Sequence, residues 1–257
     1  MYDIDATTYR SRAFDRRKQE IRFLVLHYTV VNFNGAVNSL VKGGEVSAHY
    51  LLPTPDDPSY RRAGFDKVRI FNLVDEHERA WHAGVSHWAG HNGLNHSAIG
   101  IELVNEASIS NGQFNFPAYP PSQIEALIQV CQGILERYPA ITPPHVLGHS
   151  DISIGRKSDP GAAFPWHALH QAGIGAWYDP ALKAQLQARF SDGLPPPSEV
   201  FDKLRTYGYS VPPAPDKLFA QRLLRAFQLH FRADDHRGVL DAETAAIIYA
   251  LVQRYKA

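Results

Sequence analysis

Residues 21–31, IRFLVLHYTVV, form the stretch on which the fold prediction depends. The run is rich in β-branched and aromatic residues and contains neither Gly nor Pro, so it predicts a buried central strand. Four shorter apolar segments predict further strands, at residues 46–52, 68–74, 99–104 and 145–149. The chain is therefore expected to contain a sheet of several strands.

A helix is predicted over residues 122–138, where apolar residues recur at helical spacing. Ser122 and Glu125 form a capping-box pattern directly after two prolines, which predicts the start of the helix. Cys131 lies on the apolar stripe and is interpreted as a core residue rather than a nucleophile. Because it is the only cysteine, it excludes an internal disulfide and a thiolate metal cluster.

The composition indicates a globular protein and disfavours two kinds of partner. The chain has 257 residues, 44% of them hydrophobic, and its 26 basic and 26 acidic residues give a net charge of zero. A neutral chain argues against a nucleic-acid binder held by bulk electrostatics, and no apolar run is long enough to span a bilayer. Oligomerisation is open at this point.

Residues 1–20 contain no apolar signal segment. This predicts a cytoplasmic protein, or else one that is numbered after signal removal or exported by another route.

A change of composition near Ser191 predicts two domains. We divide the chain into a first domain at residues 1–190 with a motif core at 20–175, a Pro-rich linker at 191–197, and a helical domain at 198–257. Ser198 and Asp241 are expected to cap the first and third of three short helices, and the second covers residues 218–231. Three such helices are marginal alone, so they are expected to dock on the larger domain.

Three residues that are distant in the sequence could hold a metal ion. His27 and His149 each end an apolar run, where an ionisable side chain must be paired, ligated or placed at a sheet edge. Asp159 follows in a tight turn. Two imidazoles and one carboxylate are a recurrent catalytic zinc set, although structural hydrogen bonding remains open for all three. Most other histidines, His230 among them, are interpreted as surface or hydrogen-bonding residues.

Two further residues could take part in chemistry. Glu102 lies inside an otherwise apolar strand. It is either on a solvent-exposed face or in a structural ion pair, or it is a buried carboxylate whose pKa is raised towards neutrality so that it can exchange protons. Lys157 lies two residues before Asp159, so it could approach a metal ion held there, or it is a solvated loop residue.

Four sequence blocks together resemble the AmpD-type N-acetylmuramoyl-L-alanine amidases. In family order they are HYT at 27–29, WHAG at 81–84, SAIGIE at 97–102, and GHSDI at 148–152 followed by GRKSDPG at 155–161. The C-terminal stretches LRTYGY at 204–209 and GVLDAET at 238–244 resemble a degenerate peptidoglycan-binding helical domain. This resemblance places the chain near the two-domain, cell-envelope branch of the family.

The resemblance implies an α/β fold with a mixed central β-sheet flanked by helices, plus a small C-terminal three-helix domain. It implies one Zn²⁺ per chain on His27, His149 and Asp159, with Glu102 and Lys157 as the reacting pair. The implied reaction is hydrolysis of the amide between N-acetylmuramic acid and L-alanine in peptidoglycan or muropeptides. The implied location is the periplasm or cell envelope, with the cytoplasm as the alternative.

Six residues are expected to contact substrate: Tyr28, His49, Arg69, Trp81, His82 and Arg156. The aromatic rings of Tyr28 and Trp81 offer flat apolar faces to sugars or stem peptides, although core packing is equally open for Trp81. The two arginines could meet peptide carboxylates or lie on the surface. The two histidines could instead support the metal ligands.

Three other functions remain open. A non-catalytic peptidoglycan-recognition module would share the fold, although the intact zinc set argues against it. A zinc peptidase acting within the stem peptide would use the same chemistry on another bond. A purely structural protein would use the same residues for hydrogen bonds alone.

Overall fold

The computed structural model describes residues 1–256 as a central sheet with helices on both faces. Its strands are β1 (Ile4–Asp5), β2 (Phe14–Arg16), β3 (Phe23–Tyr28), β4 (Tyr50–Leu52), β5 (Ile70–Asn72), β6 (Glu78–Ala80), β7 (His87–Trp88), β8 (His91–Asn92), β9 (Ala98–Leu103), β10 (Ser108–Ser110), β11 (Gln113–Asn115) and β12 (Val146–Gly148). Its α-helices are α1 (Phe33–Val37), α2 (Pro58–Arg62), α3 (Pro121–Arg137), α4 (His149–Ile152), α5 (Trp166–Gln171), α6 (Pro180–Ser191), α7 (Pro197–Tyr207), α8 (Lys217–Phe231) and α9 (Ala242–Lys256). Within residues 1–256, no helix is long and apolar enough to cross a membrane.

The central sheet has six strands in the order β1–β5–β4–β9–β3–β12. Strand β3 runs parallel to both β9 and β12, and β9 runs parallel to β4. The antiparallel pairing of β4 with β5 makes the sheet mixed, which confirms the predicted fold class. Because β9, β3 and β12 are parallel neighbours, their carboxyl ends meet at one edge of the sheet.

Alternating side chains of β3 serve two different cores. Leu24 and Leu26 are buried in the cluster that includes the apolar face of α3. Phe23 and Val25 are buried in a second cluster, which they share with the C-terminal helices. This alternation follows from the period of two in a strand, and it makes the central strand apolar on both faces as predicted.

Helix α3 begins one residue earlier than predicted, and the expected capping box is absent. Its N-cap is Pro120, which has no side-chain cap, and Pro121 occupies the first turn. A proline at this position needs no hydrogen-bond partner for its nitrogen and already has a helical φ, so the helix begins without the Ser122 cap. Cys131 is buried in the core on this helix, as predicted.

The C-terminal region contains the three predicted helices and one more. Ser198 is not a cap, because α7 begins at Pro197 with Pro196 as its N-cap. Asp241 is a cap as predicted, since its Oδ1 accepts from the Thr244 backbone N–H at 2.9 Å. Helix α6 was not predicted because it carries a weak apolar stripe, with Phe190 as its one buried residue. The domain boundaries themselves stay a prediction.

The C-terminal helices are joined to the sheet by a continuous core. Trp88 is buried against Tyr207 and Tyr209, with ring centroids 6.0 and 4.7 Å apart. The carbonyl of Gly208 also accepts from the Ala89 backbone N–H at 2.8 Å. This packing is the docking expected for three helices that are marginal alone.

A buried carboxylate ties α8 to α4, the short helix whose first residue is His149. Asp151 accepts from the Tyr209 hydroxyl at 2.5 Å, and it lies 2.7 Å from Nδ1 of His230. The same carboxylate accepts from the Gly148 backbone N–H at 2.8 Å. The C-terminal helices therefore brace the segment that carries His149.

We expect Tyr209→Phe to lower the free energy of unfolding by about 1–2 kcal/mol, because it removes a donor from a buried carboxylate. For a chain of this size that corresponds to a Tm lower by about 2–8 °C in a thermal melt. The matched control is Tyr249→Phe, whose hydroxyl makes a 3.3 Å contact with Glu199 at the exposed surface. Equal shifts in the two variants would contradict the bracing role of Tyr209.

Candidate metal centre

The three predicted metal ligands converge in one buried place. Nδ1 of His27, Nδ1 of His149 and Oδ2 of Asp159 each lie 3.0 Å from the other two. The ligands of a tetrahedral zinc ion lie about 3.3 Å apart when the bonds are about 2.0–2.1 Å long. The spacing of the three atoms is therefore close to that of a zinc site.

Strand register explains the convergence. In the pairing of β12 with β3, Gly148 lies opposite Leu26, so the next residues, His149 and His27, follow at the same edge. In the pairing of β9 with β3, Glu102 lies directly opposite His27. Asp159 comes from the loop after α4, and its carbonyl accepts from the Ser150 backbone N–H at 3.0 Å.

The three facing atoms have too few hydrogens among them to hydrogen-bond to one another. The carbonyl of Ala83 lies 3.0 Å from Nε2 of His149 and can only accept, so the ring tautomer with its hydrogen on Nε2 satisfies that carbonyl and has a lone pair on Nδ1. Burial alone would raise the pKa of Asp159, but His149 and His27 hold it well below its ordinary value. An imidazole lone pair and a carboxylate oxygen thus face each other at 3.0 Å.

His27 supplies at most one hydrogen to the group, because burial and the adjacent His149 lower its pKa to about 4 and leave its ring neutral. Neutral imidazoles and an ionised carboxylate are the forms that bind a metal ion. A cation between the three atoms would remove the repulsion between their lone pairs. The residues therefore fit a metal ion.

Two consecutive residues of the WHAG block hold the outer nitrogens of both histidines. Nδ1 of His82 lies 3.0 Å from Nε2 of His27, and the carbonyl of Ala83 accepts from His149 as described. Oδ1 of Asn95 in turn accepts from the backbone N–H groups of His82 and Ala83, at 3.0 and 2.7 Å. These contacts direct both Nδ1 atoms towards Asp159, in the manner of the outer partners of metal-binding histidines.

Gly100 makes room for this arrangement. A Cβ at Gly100 would lie 2.4 Å from the ring of His82, so a larger residue would displace that ring. The glycine lies two residues before Glu102 on the same face of β9. The Ile-Gly-Ile-Glu pattern thus provides both the Glu102 carboxylate and, at Gly100, the space that the His82 ring occupies.

Glu102 is a half-buried residue whose carboxyl has one oxygen enclosed by the protein. That oxygen, Oε2, is shielded from solvent and has no hydrogen-bond partner among residues 1–256. Burial, followed by the charge of Asp159, raises the pKa of Glu102 to about 8, and Lys157 opposes that rise. A divalent cation nearby would favour the ionised carboxylate.

A cavity of about 350 Å³ lies over this group. Eight residues predicted to act in catalysis, metal binding or substrate contact line it, namely Tyr28, Trp81, His82, Glu102, His149, Arg156, Lys157 and Asp159. One wall is fixed by the Tyr28 hydroxyl, which lies 2.6 Å from Oγ of Ser158. A terminal nitrogen of Arg156 donates to the carbonyls of Ala83 and Val85, so this arginine also holds the WHAG block.

The structure does not bring two of the predicted substrate contacts to the cavity. Arg69 pairs with Asp5 at 3.2 Å, at the end of the sheet away from the metal ligands. His49 is fully buried, and its Nδ1 accepts from the Gly100 backbone N–H at 2.9 Å. Burial and the neighbouring Arg17 lower the pKa of His49 to about 3. His49 therefore supports the strand behind the site.

Sequence reasoning missed three residues that shape the site. Asn95 lies in a short 3₁₀ helix, Leu94–His96, and Arg17 lies in a loop; neither stands in an apolar pattern, so nothing local marks their long-range contacts. Asp151 lies inside the GHSDI block, two residues after His149, and this closeness to a predicted ligand could have marked it as a supporting residue.

Comparison with known proteins shows that the chain is similar to amidases. A family model described as N-acetylmuramoyl-L-alanine amidase matches residues 17–162. The chain is 40% identical over 256 residues to N-acetylmuramoyl-L-alanine amidase AmiD of Escherichia coli K12, covering 99% of this chain and 89% of AmiD.

Two solved structures resemble the whole chain. AmpDh3 from Pseudomonas aeruginosa matches with a TM-score of 0.90 and 52% identity, over 100% of both chains. AmiD from E. coli, in complex with anhydro-N-acetylmuramic acid-L-Ala-D-γ-Glu-L-Lys, matches with a TM-score of 0.81 and 38% identity, over 95% of this chain and 99% of AmiD. The likeness extends over the sheet and the C-terminal helices together.

We expect His82→Phe to raise the dissociation constant for Zn²⁺ about 10- to 100-fold, because it removes the acceptor that orients His27. Competition with a chromogenic chelator measures that constant. The matched control is His87→Phe, since His87 is exposed on the β7–β8 hairpin and should leave zinc affinity unchanged. An unchanged zinc constant with a raised KM would instead make His82 a substrate contact, as the sequence predicts.

Proposed function

This chain belongs to the N-acetylmuramoyl-L-alanine amidase family and hydrolyses the amide between N-acetylmuramic acid and L-alanine, and we propose that it does so with one zinc ion on His27, His149 and Asp159. The observation that carries the proposal is the mutual 3.0 Å approach of three buried electron-pair donors. Two imidazoles and one carboxylate are a donor set that suits zinc, with the fourth position left for water.

A zinc ion bound there would lower the pKa of a bound water to about 7 and polarise the amide carbonyl. The chain's own residues prepare that position. His82 and the Ala83 carbonyl fix the two imidazole rings, and the cavity gives substrate access to one side of the group. This preorganisation lets the ligands bind without rearranging.

Glu102 is proposed to carry the proton between water and the leaving amine. Its Oε2 has no hydrogen-bond partner within residues 1–256. The residue lines the cavity and lies next to His27 in the pairing of β9 with β3. The carboxylate can take a proton from the attacking water and return it to the nitrogen of L-alanine as the amide breaks. An amide nitrogen leaves readily only when it is protonated, so one carboxyl serves both steps.

Lys157 is proposed to stabilise the negative charge that develops on the carbonyl oxygen. It lines the same cavity as Glu102, and its charge lowers the pKa values of both Glu102 and His27. A cation beside the developing oxyanion stabilises the transition state and so accelerates the reaction. Tyr28, Trp81 and Arg156 complete the proposed contacts with substrate.

The proposed substrates are peptidoglycan fragments of the kind bound by AmiD, a muramyl group joined to a stem peptide. We propose a location in the periplasm or cell envelope, where that polymer lies. A role of residues 198–257 in binding the wall polymer is likewise a proposal, supported by the resemblance of the C-terminal stretches.

Removal of metal tests the zinc proposal. Dialysis against a chelator should abolish release of peptides that begin with L-alanine, as measured by mass spectrometry, and stoichiometric Zn²⁺ should restore it. Asp159→Asn should bind well below one zinc per chain after dialysis, while Asp192→Asn, on the exposed surface, should keep the wild-type stoichiometry. Full activity in the chelated protein would refute the proposal.

We expect Glu102→Gln to keep one zinc per chain and to lose about 10²- to 10⁴-fold in kcat, because the amide side chain cannot carry the proton. Single-turnover hydrolysis of an anhydromuramyl peptide gives the rate. Glu106→Gln is the control, since Glu106 is exposed four residues later and should leave kcat unchanged. Wild-type turnover by Glu102→Gln would remove this residue from the mechanism.

A further inference from the structure

A second cavity, of about 250 Å³, adjoins the catalytic one. The two cavities share four lining residues, namely Ile109, Arg156, Lys157 and Ser158. The remaining walls come from Gly155, from Phe114 on β11 and from one face of α8. A ligand in the catalytic cavity can therefore extend directly against the C-terminal helices.

This second cavity is strongly basic. Arg222 and Arg225 of α8 line it together with Arg156 and Lys157, and no acidic residue of the described part of the chain does so. Neither Arg222 nor Arg225 forms an ion pair with a carboxylate within residues 1–256, since every arginine–carboxylate pair there is made by a different arginine. Unpaired guanidinium groups in a recess are suited to carboxylates, which they bind with two parallel hydrogen bonds.

Both arginines are held in place by packing. The guanidinium carbon of Arg225 lies 3.8 Å from the centroid of the Phe114 ring, a cation–π contact that leaves the edge of the group free for a ligand. Arg222 packs over Gly155, where a Cβ would lie 2.5 Å from its Cδ, and the positive φ of that glycine, +73°, also favours Gly. The two side chains are thus prepositioned beside Lys157.

We propose that this cavity is a subsite for the carboxylates of the stem peptide, and that α8 thereby takes part in substrate binding. The proposal rests on the proposed function and names where part of its substrate lies. The lactyl carboxyl is consumed in the scissile amide, and N-acetylated sugars carry no ionised group. The negative charges of the substrate therefore lie on the peptide side of the bond.

The chemistry of the stem places a carboxylate within reach. A γ-linked glutamate, as in the ligand named for the AmiD complex, keeps its α-carboxylate free. That residue follows L-alanine, so the carboxylate lies within about two extended residues, about 7 Å, of the scissile bond. The peptide would then run from Glu102 and Lys157 towards α8.

A matched pair of substrates tests this subsite. N-acetylmuramoyl-L-Ala-γ-D-Glu-L-Lys carries the free α-carboxylate of D-Glu, because its γ-carboxyl is bonded to lysine. The analogue with D-isoglutamine in place of D-Glu keeps that bond to lysine and replaces the α-carboxylate with a carboxamide of the same size. Arg225→Gln should raise KM about tenfold for the carboxylate substrate and leave kcat unchanged, because a charge-assisted contact is lost. The KM of the carboxamide substrate should stay the same.

Two further variants keep the outcome decisive. Arg222→Gln, on the exposed side of α8, should shift KM in the same substrate-dependent way if Arg225→Gln does not fold. Lys217→Gln, on the same helix but outside the cavity, should behave as wild type. Equal KM shifts for both substrates, or none for either, would overturn the subsite. Failure of the wild-type protein to hydrolyse either substrate would instead overturn the proposed function.

Discussion

The site depends on one constraint, the confinement of two imidazole nitrogens and a carboxylate oxygen to within 3.0 Å of one another in the protein interior. The lone pairs of these three atoms repel one another unless a cation or a proton lies between them. Burial favours neutral imidazoles, while the histidines keep the pKa of Asp159 low. The fold must therefore hold these atoms together against their own repulsion, and much of the architecture around them serves that purpose.

Three separate elements supply this restraint. The parallel strands β3, β9 and β12 fix His27 and Glu102 in register, with His149 at the next position. Asn95 holds the segment that bonds the outer nitrogen of each histidine. Asp151 fastens the helix of His149 to α8. Asn95 and Asp151 do not belong to the donor set, yet they hold the segments around it, which would give a ligand set a defined geometry before a metal ion binds.

The sequence predicted the residues that interrupt an apolar pattern. His27 at the end of the central strand and Glu102 within β9 stood out because burying an ionisable group costs free energy unless the group is paired or ligated. His49 carries the same local signal, yet its partners are Arg17 and a strand backbone, and only the three-dimensional neighbours separate the two cases. Arg69 illustrates a similar limit, since its partner Asp5 lies 64 residues away. The expected caps of α3 and α7 failed where a proline defines the first turn without any side-chain acceptor.

Helix α8 shows why the C-terminal region cannot be read as an anchor alone. Its residues Leu223, Phe227 and His230 follow helical spacing on the side buried in the shared core, where His230 meets Asp151. Arg222 and Arg225 lie on another face that lines the basic cavity. One helix thus supports the segment of His149, a candidate metal ligand, and forms a wall next to the cavity over the candidate metal centre. A module that served only to raise the local concentration of polymer would need neither contact. Helix α8 is therefore part of the structure around the candidate metal centre, in addition to any role that the C-terminal region has in binding the wall.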